Sequence, residues 1–272
     1  MIQRRFPPAK HQRAENLSVN QEAIMEEAQH TVEVAREKEI TLRIMGALGV
    51  FIHSPKYGRI LKETGRFVTD IDLMGLSKQF TQIKALMSEL GYESRRLGFG
   101  LSTSQHWKRG FYQSTKSGFN VDFFYDKLEM CHTIDLTERL SVDYPTIPIA
   151  DIVLEKMQIV QINEKDLKDT MVLLREHDVG STDKESVNAK YIAYQMARDW
   201  GFYYTVTTNL NKVKDSLNAY PILTSDDRND ISSKVNVLLE YIDKEPKSMG
   251  WKMRAKVGPR QKWYKDVEEI VR

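Results

Sequence analysis

Residues 66–73 read Arg-Phe-Val-Thr-Asp-Ile-Asp-Leu, and residues 118–126 read Gly-Phe-Asn-Val-Asp-Phe-Phe-Tyr-Asp. Both stretches are dense in β-branched and aromatic residues, which predicts strands. Strand side chains alternate between faces, so Asp70 and Asp72 leave the sheet on the same side. In the second stretch Val121 and Phe123 point one way and Asp122 the other, so pairing of the two strands adds a third carboxylate to that patch. Three acids on one face repel each other, and burial adds to the cost, so the cluster calls for a cation. Oxygen-only ligands suit Mg²⁺ or Mn²⁺, and no His-x-x-x-His spacing points to zinc.

The surroundings of these strands predict an α/β chain, with a mixed sheet followed by helices. Upstream, a helix over 20–39 carries Ile24, Ala28, Val32 and Ala35 at helical spacing, and Thr41 to Met45 forms a strand that runs into Gly46 and Gly49. Residues 50–61 continue with helical character. A strand, a glycine turn and a helix in that order form a phosphate cradle. Residues 77–90 read as a helix closed by Gly91, and 92–97 and 132–136 as short strands. Past Pro145 and Pro148 the texture changes and no strand pattern is expected. Helices are expected over 151–161, 163–177, 185–220 with a break near Gly201, and 225–244, with Asp151, Asn163 and Ser225 as N-caps. The resulting division is a basic arm and helix (1–39), a strand-rich domain carrying the acidic cluster (40–148) and a helical domain (149–272).

Composition restricts the function classes. With 272 residues, 41% hydrophobic and 29% charged, the chain is long enough to bury a core and is neither disordered nor fibrous. No run reaches the roughly 18 apolar residues of a membrane span, and the basic first residues lack a signal peptide's apolar core, which reads as cytoplasmic. Cys131 is the single cysteine, so it forms no internal disulfide and reads as a small buried hydrophobe. The net charge of +2 is too balanced to indicate nucleic acid by itself.

The order of these segments resembles the DNA polymerase β-like nucleotidyltransferase superfamily, whose pattern is a hydrophobic strand ending in Gly-Gly or Gly-Ser, a helix, an Asp-x-Asp strand and a later acid in an apolar strand. The matching segments are 42–49 (LRIMGALG), 69–75 (TDIDLMG) and 120–126 (NVDFFYD). Residues 66–73, Lys156 and Lys165-Asp-Leu-Lys-Asp169 are similar to the motifs of bacterial and archaeal proteins related to type IV abortive-infection toxin nucleotidyltransferases. The resemblance implies a nucleotidyltransferase-type fold and transfer of a nucleoside monophosphate from an NTP to an acceptor hydroxyl. Asp70, Asp72 and Asp122 would then hold Mg²⁺ or Mn²⁺, and Asp122 would help deprotonate the acceptor. Gly46, Ala47, Arg66, Thr69, Lys156, Lys165 and Asp169 would serve the nucleotide. Ala47 departs from the pattern: it removes a hydroxyl and restricts the turn where Gly or Ser is usual. That departure supports a second reading, a catalytically inactive nucleotide- or RNA-binding module, which would suit a toxin–antitoxin or phage-defence system.

Two further features stand beside this reading. On the helix after Asn163, Leu167, Met171 and Leu174 form the core stripe, while Lys165 and Asp169 sit one turn apart on the other side, as a functional pair or an ordinary ion pair. From Pro246 to Lys265 there are seven Lys or Arg and no Asp or Glu, interleaved with Trp251, Trp263 and Tyr264. Lys252, Arg254, Lys256, Arg260 and Lys262 could meet an RNA or tRNA acceptor, with Arg4, Arg5, Lys10 and Arg13 reinforcing them. The alternative is a terminal helix whose tryptophans dock on the core. His53, His106, His132 and His177 share no spacing and read as hydrogen-bonded or surface residues, and Ser102, Ser104, Gln105 and Gln113 as a polar loop.

Overall fold

The computed structural model describes residues 10–95 and 109–267, with side chains from residue 20 onward. Helix α1 (Lys10–Glu37) leads into β1 (Leu42–Met45), the short α2 (Gly46–Ile52) and α3 (Gly58–Glu63), then β2 (Asp70–Gly75), α4 (Phe80–Glu89) and β3 (Tyr92–Ser94). With β4 (Arg109–Ser114) and β5 (Asn120–Tyr125) they form a five-stranded mixed sheet in the order β1-β2-β5-β4-β3. A hairpin of β6 (Lys127–Glu129) and β7 (Thr133–Asp135) precedes α5 (Ile149–Met157) and α6 (Glu164–Glu176). A small parallel pair, β8 (Asp178–Gly180) and β9 (Ser186–Asn188), introduces α7 (Ala189–Met196), α8 (Trp200–Ser216), α9 (Ser225–Lys244) and α10 (Met249–Val257). Among the described residues no helix is long and apolar enough to cross a membrane.

The sheet is covered on both faces. Ile71, Leu73, Val121 and Phe123 point toward α1 and α4: a Cβ on Gly75 would meet Ile83 and Phe123 within 3.0 Å, and the Thr31 hydroxyl of α1 lies 2.8 Å from that of Tyr92. The stripe Ile24, Ala28, Val32 and Ala35 is buried against this face, and each large apolar side chain so buried contributes about 1.5–3 kcal/mol. The even-numbered residues of β2 and β5 turn to the other face, where α2 packs with α5 and α6 against it. One apolar cluster runs without interruption from Ile24 to Ile242, through the helices of the second half.

Several sequence expectations shift. The first strand of the acidic pair begins at Asp70 and not Arg66, because its parallel partner β5 offers Asn120 as its first residue, opposite Asp70. Residues 50–61 divide into α2 and α3 around Pro55, which cannot continue the helix. Strand β4 was not legible in 109–114, and Gln113 belongs to it, paired with Asn120 and Glu93, instead of to a polar loop. Residues 102–105 and His106 lie outside the described residues, as do Arg4 and Arg5 and the side chains of Lys10 and Arg13.

The second half contains strands after all, β8 and β9, each three residues long and therefore too short to display a period. Asn163 caps α6 as expected, accepting from the Asp166 amide at 3.0 Å. Asp151 caps nothing. Pro148 precedes α5, and Asp151 is fully buried against Arg139, 2.7 Å away. Helix α9 is capped by Thr224 in a reciprocal box with Asp227, one residue before the expected Ser225. The break in the 185–220 helix falls at Ala197–Asp199, with Asp199 capping α8; Gly201 lies inside α8.

Candidate functional site

The acidic face is assembled by strand register. Parallel pairing sets Asp72 directly opposite Asp122 and Asp70 opposite Asn120. Because β1 runs antiparallel with Met45 opposite Asp72, the turn that follows Met45 falls beside the same carboxylates. Gly46 occupies that turn with φ +67, and a Cβ there would lie 2.2 Å from Asp72 Oδ2. Glycine is therefore required twice at position 46, for the left-handed backbone and for the close approach of a carboxylate. Ala47, by contrast, is buried inside α2 and is not among the positive-φ residues, so the expected restriction of the turn by its methyl group does not arise.

A fourth acid joins the three predicted ones. Glu155 of α5 is buried and accepts a hydrogen bond from the Gly46 amide at 3.1 Å. The backbone group expected to face a phosphate thus meets a carboxylate of the same chain. Burial, followed by Asp70, Glu155 and Asp122, pushes the Asp72 carboxyl well above the ordinary carboxylate range, against the opposing pull of Lys156. Burial likewise raises Glu155. Asp122 is itself 3% exposed and is held by Arg109 of β4 at 2.5 Å. Arg109 stands opposite Phe124, two residues along the same face, and its guanidinium lies over the rings of Phe111 and Phe124 at 4.9 and 4.7 Å. Thr69 is exposed and donates to Asp70 Oδ1 at 3.3 Å.

The residues expected to contact the nucleotide divide sharply. Arg66 is buried and makes a bidentate pair with Asp169, at 2.9 and 3.0 Å. Lys156 reaches the same carboxylate at 3.2 Å and Asp166 at 3.4 Å. These surrounding acids hold the Lys156 ammonium above its ordinary range although burial opposes them. Asp169 is fully buried between its two cations, whereas Lys165, one helical turn earlier, is exposed. Lys165 and Asp169 were expected on one side of α6, and the helix separates them: the carboxylate enters the protein and the ammonium stays in water.

The donor set suits a hard divalent cation, since it consists of oxygen ligands, and burial followed by repulsion from its neighbours leaves Asp72 reluctant to ionise. Among the described residues, however, no three Asp, Glu, His or Cys side chains converge on one point as a formed metal shell. Arg109 occupies one carboxylate and the Gly46 amide another. Glu155 and Arg109 were missed by sequence reading. Glu155-Lys156 among the apolar residues of 152–157 was the legible signal for the first, while nothing local marked Arg109. The sequence matches no protein-family model and no curated protein.

The other candidates have structural roles. His53 hydrogen-bonds the Thr146 hydroxyl at 2.5 Å, and the His177 ring reaches the His53 carbonyl at 2.6 Å. His132 is buried against Phe202 and Thr205, and burial lowers it to about 4, so it is neutral at physiological pH. Cys131 is buried. In the tail, Trp251 donates to the Met196 carbonyl and Trp263 to the Thr205 hydroxyl, each at 3.0 Å. The tryptophans dock on the helical part, as the rival reading of the tail expected. Arg254 is spent on the carbonyls of Gly258 and Gln261, and Lys262 bonds Asp266, while Lys252, Lys256 and Arg260 are exposed.

Proposed function

We propose that the chain is a metal-dependent nucleotidyltransferase with a nucleotidyltransferase-type mixed sheet, moving a nucleoside monophosphate from an NTP to an acceptor hydroxyl. The observation that carries this reading is the register of β2 and β5, which puts Asp72 opposite Asp122 with Asp70 two residues away, beside a glycine turn open enough to accept a carboxylate in van der Waals contact. Asp70, Asp72 and Asp122 would hold Mg²⁺ or Mn²⁺, which when bound offsets the charge that builds on the transferring phosphoryl group. Asp122, paired with Arg109, accepts the acceptor's proton. Arg109 keeps that carboxylate turned to the site through its cation–π contacts. Lys156 and Arg66 hold α5 and α6 through Asp169, which positions Glu155 at the Gly46 amide. Pyrophosphate leaves, and RNA is the leading acceptor, with exposed Lys252, Lys256 and Arg260 available to its phosphates.

Incubation with labelled NTPs, Mg²⁺ and cellular RNA tests this. Incorporation is expected with the wild-type chain and is expected to fall by about a thousandfold in Asp70→Asn/Asp72→Asn, since charge stabilisation of several kcal/mol is lost. Equal incorporation by the two proteins overturns it. The second reading, an inactive binding module, is favoured by one observation: Glu155 already occupies the Gly46 amide. Calorimetry separates them, because the enzyme binds NTP in a Mg²⁺-dependent manner that disappears in Asp72→Asn.

A further inference from the structure

A groove of about 620 Å³ opens between the start of α8, the loop joining β6 to β7, helix α10 and the tail that follows it. It is far from empty of chemistry. Among the described residues, Trp251, Trp263 and Tyr264 line it, together with four cations, Arg198, Arg254, Lys262 and Lys265, against one acid, Asp199. That acid is already engaged as the N-cap of α8, accepting from the Phe202 amide at 3.0 Å. The neutral His132 adds no charge. The groove therefore repels cations and favours an anion, so its aromatic wall is no cage for an ammonium group.

The groove is built, and not merely left over. A Cβ on Gly201 would come within 2.5 Å of the Trp263 carbonyl, so the tail backbone seats directly on α8. The Lys265 amide donates to the Cys131 carbonyl at 2.9 Å, tying the tail to the β6–β7 loop. The Thr205 hydroxyl bonds both Trp263 and His132, which fixes the indole from below. Arg254 and Lys262 brace the walls: Arg254 lies 4.4 Å over Trp200 and bonds two carbonyls, and Lys262 pairs with Asp266. The remaining two cations are exposed. Arg198 rests on the Tyr194 ring, and Lys265 gives one hydrogen bond, to the Thr133 hydroxyl, among the described residues.

We propose that this groove binds a nucleoside phosphate unit, its base against the Trp251–Trp263–Tyr264 wall and its phosphate on Arg198 and Lys265. A flat aromatic group joined to an anion is the chemistry that uses both halves of the lining, and the volume matches a ligand of that size. The unit is either a free nucleotide or one residue of a single strand. The site stands whether or not the acidic face transfers nucleotides, and its test needs neither metal nor NTP.

The full chain is titrated by calorimetry in EDTA with 5′-AMP, adenosine, inorganic phosphate and a 5′-phosphorylated hexa-adenylate. AMP is expected to bind at least about tenfold more tightly than adenosine or phosphate, and Arg198→Gln/Lys265→Gln to weaken it by about tenfold or more, since charge-assisted contacts are lost. Asp70→Asn/Asp72→Asn leaves this binding unchanged. A hexamer that binds more tightly than AMP, with a steep salt dependence, assigns the unit to a strand; equal affinity assigns it to a free nucleotide. Phosphate binding as tight as AMP overturns the proposal, as does no binding of AMP or hexamer. Should the double variant melt early, quenching of wild-type tryptophan fluorescence by AMP replaces it, and the absence of quenching is decisive against the site.

Discussion

Helix α5 carries Glu155 and Lys156 side by side, and each enters a different charge cluster. Lys156 joins Arg66 around the fully buried Asp169, two cations on one carboxylate with Asp166 at the rim. Glu155 joins Asp70, Asp72 and Asp122, where Arg109 pairs with Asp122 and the acids outnumber it. The first cluster is compensated within the chain. In the second, burial first and then the neighbouring acids leave Asp72 prone to protonation, and the pull of Lys156 offsets this only in part. Neighbouring residues on one helix thus mark the difference between charge used to hold a fold together and charge that, under the proposed function, is kept in reserve for a ligand.

The sharpest way to break that contrast is Asp169→Ala. It strands Arg66 and Lys156 in the interior, and breaking a buried pair by removing one partner costs about 3–5 kcal/mol. Denaturant unfolding should register a loss of that size; a loss below about 1 kcal/mol would place Asp169 outside the structural class. Gly46→Ala comes next, at about 2 kcal/mol, because a left-handed non-glycine backbone costs about 1–2 kcal/mol and the new methyl displaces the Asp72 carboxylate. Its thermal midpoint should fall while Asp169 stays paired.

Asp72→Asn should move stability the other way. The raised carboxyl binds its proton more tightly in the folded state than in the unfolded chain, so native stability is greatest at low pH and declines as pH rises from the ordinary carboxylate range through the raised one. The variant lacks that decline. Thermal melts are expected to show it more stable than the wild type at neutral pH, with the gap closing in acid, and Mn²⁺ to raise the wild-type midpoint alone. An Asp72→Asn protein less stable at neutral pH would remove the idea of reserved charge. The smallest effect belongs to Lys165→Ala, an exposed position, where stability should change by no more than about 0.5 kcal/mol. A loss of NTP binding at unchanged stability would return Lys165 to the site.

How much of this was legible depends on range. Alternation along 70–72 and around Asp122 put the three acids on faces of strands, and the Gly46 turn announced itself by composition. The α1 stripe and the Asn163 cap are also readable within one or two turns. By contrast, β4 and Arg109 were hidden because Arg-Gly-Phe-Tyr-Gln-Ser alternates too weakly to reveal a strand, although β4 supplies the cation that holds Asp122. The docking of Trp251 and Trp263 turned an apparently open basic tail into the wall of a groove.

Hydropathy period, caps and turn residues act over a few positions, so residue order alone established that this chain alternates strands and helices and that it carries an acidic strand pair after a glycine turn. Partnership is another matter. Whether Asp169 meets Lys165 or Arg66, and whether Glu155 reaches Gly46, depends on how α5 and α6 seat against the sheet, which is decided by packing among residues about a hundred positions apart in the chain. Electrostatic energy falls with separation in space, so the ionisation of Asp72 became readable only once the fold had set those distances.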